Sequence, residues 1–403
     1  MVAPPTFAPL RGVRVLDLTT SVAGPYCTLI LAALGADIVK IERPDGGDDT
    51  RAWGPPFWAN ESATFLAMNA GKRSLAVDLK SSAGLAVALR LARSADVFLQ
   101  NLRPGLAERL GLGFDVLARK NERLVYCSIG AFGSKGPLAR EPGYDPLMQA
   151  AGGIMSITGE PGGAPVRTGP SIVDQGTGMW CAIGILAALR ARDAGAGPQL
   201  IDSSLYETAV NWIPYQLVGY LASGRPPGPL GSGIGILAPY QAFRTQDGWV
   251  MIAAGNNRLF TALCEALELP RLAVDPRFRT NADRVANRAA LADLLGARAA
   301  RERTDTWLER LRAAGVPVAP IQDAAQVAAS EQTAALGLLQ PLPHALVPDL
   351  RVVAPPLSVD GERLGYATPA PGLGEHSVEL LREAGFDRLE IETLLDSGAV
   401  VQA

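Results

Sequence analysis

The chain has little of what metal centres and disulfide frameworks are made from. Its two histidines, His344 and His376, both fall in the last sixty residues, too few and too late for a multi-histidine metal site. Its four cysteines, Cys27, Cys127, Cys181 and Cys264, are widely spaced among apolar neighbours with no C-x-x-C. That is how small buried hydrophobes are used in a reducing cytoplasm, where the protein is expected to reside. Basic charge is not in excess: 37 Lys and Arg against 40 Asp and Glu give a net charge of −3. No broad positive field is therefore available for nucleic acid or an anionic membrane surface. The opening MVAPPTFAPLRGVRVLDL is interrupted by prolines and does not read as an export signal. The longest uncharged apolar stretch, Gly178 to Leu189, is shorter than the ~20 residues of a membrane span and predicts a buried helix. What is abundant is apolar material, 48% of 403 residues, enough for two domains and a large core.

The chain opens as strand, helix, strand: VRVLDLT (Val13 to Thr19), a helix from about Gly24 to Leu34 closed by Gly35, and ADIVKIE (Ala36 to Glu42). Such an alternation predicts a parallel β-α-β unit. It continues through SLAVDL, a helix near Ser82 to Arg93, DVFLQNL, short helices around Leu106 and Val116, and LVYCSI. Near-continuous apolar strands between helices imply a parallel sheet covered on both faces. A Gly- and Pro-rich stretch, 130 to 170, then carries the short helix DPLMQAAGG. Loops of this length in compact domains are usually functional. PSIVD predicts a strand, followed by a helix over TGMWCAIGILAALRAR, the strand QLIDSSL and a helix from about Tyr206 to Ala222. The linker SGRPPGPLGSGIG marks a boundary, so residues 1–222 are expected to form the first part of a large domain. Residues 223–330 predict a small α+β domain: a hairpin turning at Asp247-Gly248 and helices near 257–267, 282–299 and 304–314. Residues 331–403, proline-rich at first and then helical, are expected to return to the large domain.

Several chemistries are excluded by spacing. Gly71-Lys72 is followed by Arg73, with Leu66 where a phosphate-binding loop needs its first glycine. The first β-α turn reads TTSVAGP, without the glycine fingerprint of dinucleotide binding. No G-x-S-x-G elbow is present, so a serine triad has poor support. Carboxylate or tyrosine chemistry in the Gly130 to Asp174 stretch remains, with scattered arginines that suit an anionic ligand.

The segments RVLDLTTSVAGPYCTLILAALGADIVKIERP, NAGKRSLAVDLKS, NLRPGLAERLGLGFDVL, LVYCSIGAFGSKGP, GYDPLMQAAGG, IVDQGTGMWCAIGILAALRAR, APYQAF and LGEHS together resemble class III CoA-transferases, the family that includes formyl-CoA and carnitine CoA-transferases and α-methylacyl-CoA racemases. The resemblance implies an α/β fold: a Rossmann-like large domain made from both chain ends, a smaller α+β domain, and an interlocked homodimer. It implies transfer of CoA from an acyl-CoA thioester to a carboxylic acid, with coenzyme A as substrate and no permanently bound cofactor. Asp174 matches the family's catalytic aspartate. With a reference pKa of ~3.9 it would be ionised at neutral pH and could attack a thioester without a general base. On pattern alone Asp174, ending a strand and preceding a helix, reads as an ordinary helix N-cap; the resemblance favours catalysis, and the two roles can coexist. Gly176 and Gly178 could bring backbone amides to an oxyanion, or simply let helices pack closely.

By the same resemblance Val22, Ala23, Arg43, Leu79, Lys80, Asn101, Leu102, Arg103 and Arg109 would line the CoA site, where its phosphoryl groups need scattered cations. Lys72-Arg73 would join them or serve an interface. Tyr144, in GYDP, stands where racemases carry a histidine. A phenol of reference pKa ~10 is a poor base, so racemisation is disfavoured and Tyr144 is expected against the acyl-CoA. Asp145 beside it is expected to cap the DPLMQAA helix. Val22 replaces the glutamine of formyl-CoA transferases, and GSGIGILAP replaces their run of glycines, as a linker or as a lid. Both departures argue against formate or oxalate as substrate. A 2-methylacyl-CoA racemase and a CoA-ester binding protein without turnover remain as alternatives.

Overall fold

A computed structural model describes residues 7–403. Six parallel strands make the central sheet: β1 (Arg14–Leu18), β2 (Asp37–Glu42), β3 (Lys72–Val77), β4 (Val97–Gln100), β5 (Val125–Gly130) and β6 (Gln199–Ser204). Their spatial order is β3-β2-β1-β4-β5-β6. A closing strand, Val400–Val401, runs antiparallel to β3 at one edge. The chain builds outward from β1 in one direction to β3, then crosses back to place β4 on the other side of β1. The connections after β1 and β4 therefore leave in opposite directions and open a crevice at the C-terminal ends of these strands, the usual ligand position in open α/β sheets.

Strands β1 to β5 are buried on both faces, as their Val, Ile and Leu content requires, whereas the edge strand β6 leaves Leu200 exposed. Helix α1 (Ala23–Ala33) follows β1, and α2 (Ser82–Ala92), capped by Ser81, follows β3. Phe98 and Tyr126 stack in a core to which α2 and the late helices Ser377–Glu383 and Arg388–Asp396 also contribute. After β5 come α3 (Asp145–Ala151) and the 22-residue α4 (Ile172–Asp193), which runs back to the start of β6. Helix α4 is long and apolar enough to cross a bilayer by length and composition, yet half of that stretch is buried within the protein.

Several elements differ from the sequence reading. PSIVD is not a strand: Ile172–Asp174 are already the first turn of α4. The helix expected over 206–222 is two, α5 (Leu205–Asn211) and α6 (Pro214–Ser223), because Pro214 has no N–H to continue α5 and instead starts a new helix. The helix expected over 282–299 likewise breaks at Asn287, whose side-chain amide donates to the carbonyls of Asp283 and Arg277.

The chain divides into two compact units. One runs through Gly152 and includes Gly169–Trp212 and Glu331–Ala403; the other holds Gly153–Thr168 and Ile213–Ser330. The break after α5 thus falls at Trp212, ahead of the linker named above, and the 153–168 segment joins the second unit. That unit has a three-stranded antiparallel sheet, β7 (Tyr240–Arg244), β8 (Trp249–Ala253) and β9 (Val318–Pro320), with β8 central. Helices around Phe260, Leu263 and Trp307 cover its core.

Candidate active site

Helix α4 runs antiparallel to the strands, so its first turn lies at their C-terminal edge. Asp174 is its third residue, with a half-buried carboxylate that accepts no hydrogen bond among the described residues. The N-cap position is Ser171, whose side chain caps nothing. Asp145 does that work from a distance: its Oδ2 accepts the N–H of Val173 at 2.9 Å and of Asp174 at 3.1 Å. Its Oδ1 accepts from Gln149 Nε2 at 2.6 Å, and the residue is 2% exposed. Asp145 is therefore the cap of α4; it is the first residue of α3, not that helix's cap. The remaining amides at the start of α4 are also engaged, Ile172 N–H on Pro170 O and Gln175 N–H on Ser171 O.

Burial pushes the Asp174 carboxyl up, and the neighbouring Asp145 carboxylate adds to this, to about 7. Where the sequence suggested an ordinary aspartate, the structure holds this carboxyl above the usual carboxylate range. Gly176 and Gly178 are packing positions. A Cβ on Gly176 would lie 2.7 Å from the Trp212 ring, and one on Gly178 would lie 2.6 Å from the carbonyl oxygen of Ala23. As interior helical residues their own amides serve the helix. Gly178 instead sets how closely the start of α1 approaches α4.

The β1–α1 turn carries Val22 and Ala23, both buried, with Val22 at the N-cap position. Across the crevice Asn101 clasps this turn: Oδ1 accepts Thr20 N–H at 3.1 Å and Nδ2 donates to Thr20 O at 2.9 Å. Leu102 is partly buried and its N–H is held by Gln100 at 2.7 Å, while Arg103 and Arg109 are exposed and free of ion pairs among the described residues. Leu79 and Lys80 follow β3 at the same edge, Lys80 exposed. Arg43, after β2, is already engaged by Asp49 at 2.6 Å and by Asp45 O at 2.8 Å. Tyr144 immediately precedes α3 and is 61% exposed. The β-strand ends thus gather Val22, Ala23, Arg43, Leu79, Lys80, Asn101, Leu102 and Arg103 on one edge, with Arg109 one short helix further.

Beneath the β1–α1 turn lies a group of buried charges of which the sequence pointed only to Lys72, and there as a ligand or interface residue. Lys40 Nζ donates to Asp48 Oδ2 at 2.8 Å and to Thr19 O at 2.8 Å. Asp48 Oδ1 in turn accepts the N–H of Ser21, whose φ of 70° is unusual for a residue with a side chain. Lys72 Nζ donates to Pro25 O and Asn69 Oδ1 and lies 3.6 Å from Asp17. All four charged side chains are fully enclosed. Burial pushes the Lys72 ammonium down to about 7 against the pull of Asp17. The Asp17 carboxyl ends below its usual range because Lys72 and Lys40 outweigh its burial. Lys72 and Arg73 are therefore structural here: Arg73 is tied to Asp37, Glu379 and Glu383. A signal for this group existed in charges set inside apolar strands, VLDL and IVKIE, since a charge so placed must find a partner.

In the second unit, the Gly231–Gly235 segment is fastened on one side. Arg288 donates to the carbonyls of Ile234 and Gly235, Asn281 to that of Ile236 and Arg284 to that of Ala238.

The chain matches the profile of "CoA-transferase family III" over residues 10–377. It is 39% identical over 395 residues to succinyl-CoA:glutarate CoA-transferase of Mus musculus, covering 98% of this chain and 91% of that protein. It is also 39% identical to the succinate–glutarate CoA-transferase of Agrobacterium fabrum, over 93% of this chain and 95% of the relative. Among solved structures, a CAIB/BAIF family protein from Brucella suis superposes with a TM-score of 0.85 at 37% identity, covering 94% of this chain and all of that one.

Proposed function

This chain belongs to CoA-transferase family III and is an acyl-CoA:carboxylate CoA-transferase, and we propose that it transfers CoA through a covalent intermediate on Asp174. The observation that carries this reading is the Asp174 carboxylate itself: without a hydrogen-bond partner among the described residues, raised in basicity, and set at the sheet edge where ligands of such folds bind. In its ionised form one oxygen attacks the thioester carbonyl. The C–S bond breaks, CoA leaves as thiolate, and a mixed anhydride joins the acyl group to Asp174. The thiolate then attacks the aspartyl carbonyl, releasing the donor acid as carboxylate and leaving an aspartyl-CoA thioester. An acceptor carboxylate attacks that thioester, re-forming an anhydride, and the returning thiolate takes the acceptor's acyl group and frees Asp174. Each step exchanges one carboxylate or thiolate for another, so no net proton or ATP is required.

In the same reading Val22, Ala23, Leu79, Asn101 and Leu102 line the CoA path, and Lys80, Arg103 and Arg109, free of ion pairs among the described residues, meet its phosphates. Arg43 contributes less, because Asp49 already neutralises it. Tyr144 lies against the acyl portion. Dicarboxylic acyl groups of the succinyl and glutaryl type are the proposed substrates, supported by the relatives named above. A second copy completes the protein as an interlocked homodimer. Supporting this, α4 leaves Met179, Trp180 and Ile183 exposed, and α6 exposes Tyr215, Val218 and Leu221 and buries nothing. A reducing cytoplasmic setting belongs to the reading too, supported by four buried free thiols.

The test is to incubate the enzyme with succinyl-CoA, quench, and map adducts by mass spectrometry. A CoA thioester on Asp174 that glutarate discharges is the expected result. Turnover with no adduct on residue 174 refutes the proposal.

A further inference from the structure

Resting on the assignment of Asp174 as nucleophile, the geometry points to Asp145 as a positioning residue for the transfer: its enclosed carboxylate, braced by Gln149, holds the first two free amides of α4 and thereby fixes the turn that presents the Asp174 side chain. Helix starts are normally capped from within the preceding residues. Here the local candidate, Ser171, makes no such bond, and the cap comes from 28 and 29 residues upstream. The nucleophile's backbone is thus bonded directly to a second carboxylate on another helix. A lateral shift of α3 would carry Asp174 with it.

The arrangement has two chemical consequences. The amides of Val173 and Asp174 are occupied by Asp145, so they are not donors to a developing oxyanion; that charge must be met elsewhere. And a fixed anion now stands beside the nucleophile. Around the first turns of α4, Trp212 Nε1 donates to Ile172 O, Thr177 bonds Thr208, and the Cys27 thiol on α1 is held neutral by burial. After burial, the Asp145 carboxylate is what bears on Asp174, and it favours the protonated form of that side chain.

The test compares full-length wild type with Asp145→Asn and Asp145→Glu, measuring succinyl-CoA to glutarate transfer across about pH 5 to 9, with melting temperature at each pH. Asp145→Asn keeps one acceptor oxygen but removes the charge. Its kcat is expected to fall about 10- to 100-fold with KM for succinyl-CoA within about twofold, as for a nucleophile displaced by an ångström or less. Its acidic limb is expected to move down by about one pH unit or more. Asp145→Glu keeps the charge but displaces it, so kcat is expected to fall while the acidic limb stays near that of wild type. A folded Asp145→Asn with wild-type kcat, or one that loses rate only through KM with an unmoved limb, overturns the inference. If neither variant folds, amide hydrogen exchange on the wild type decides: protection of Val173 and Asp174 is expected, and rapid exchange of both overturns it. Wild type that transfers CoA without labelling Asp174 would instead refute the nucleophile assignment, leaving the amide protection to report on the cap alone.

Discussion

Replacing Asp174 by asparagine should make the protein more stable while abolishing transfer, and the gain should depend on pH. Folding raises the Asp174 carboxyl from 3.8 to about 7. Between these values the folded state holds a proton that the unfolded chain has released, so stability falls as pH rises through this window. A shift of about 3 pH units corresponds to about 4 kcal/mol, and half-burial brings the working figure to about 2 to 4 kcal/mol. The neutral carboxamide of Asp174→Asn would imitate the protonated acid and escape the penalty. Against this, loss of an anion at a helix N-terminus costs about 0.3 to 1 kcal/mol. The expected result is a melting temperature about 2 to 6 °C above wild type at about pH 8.5, with the difference shrinking towards zero at about pH 4. Thermal unfolding followed by circular dichroism across this range checks it. A difference independent of pH, or a variant less stable than wild type at about pH 8.5, would refute the assignment of an energetically strained carboxylate.

Other outcomes follow from the same geometry. Lys40→Met strands Asp48 without its buried partner and should destabilise the fold by about 3 to 5 kcal/mol in urea titrations; it should also raise KM for acyl-CoA through the loosened Thr19–Ala23 turn. Gly178→Ala drives a methyl group into the carbonyl of Ala23 and should cost about 1 to 3 kcal/mol, read from the urea midpoint. Arg103→Ala and Arg109→Ala should weaken CoA binding in calorimetry and flatten its salt dependence, whereas Arg43→Ala, already paired with Asp49, should do less.

Strands β1 to β5 were legible to within a residue or two because a strand buried on both faces is a short, mostly apolar, β-branched run between turn residues, even where Asp17, Lys40 or Lys72 interrupts it. The start of α4 was not. Ile172-Val173 are β-branched and follow a proline, so local preference read as strand; the group that makes them helical is Asp145, on another element. The same distance hid the environment of Asp174, whose proton affinity depends on a neighbour 29 residues away. Lys72 and Arg73 looked like free cations for a like reason: the partners of Arg73 include Glu383, 310 residues further on. By contrast, the break before α6 was written in the sequence as Pro214, and the continuous apolar pattern around it masked the signal.

The late chain also has a consequence for how the molecule is made. β3 is flanked on one side by β2 and on the other only by Val400–Val401, and Ser74 Oγ accepts from the amide of Gly374, 300 residues away. During synthesis, β3 must wait with an open edge while the whole second unit emerges, and the sheet is sealed only afterwards. A strand with one edge left open for that long is a template for wrong partners, so C-terminally shortened chains are expected to aggregate more readily than the full chain.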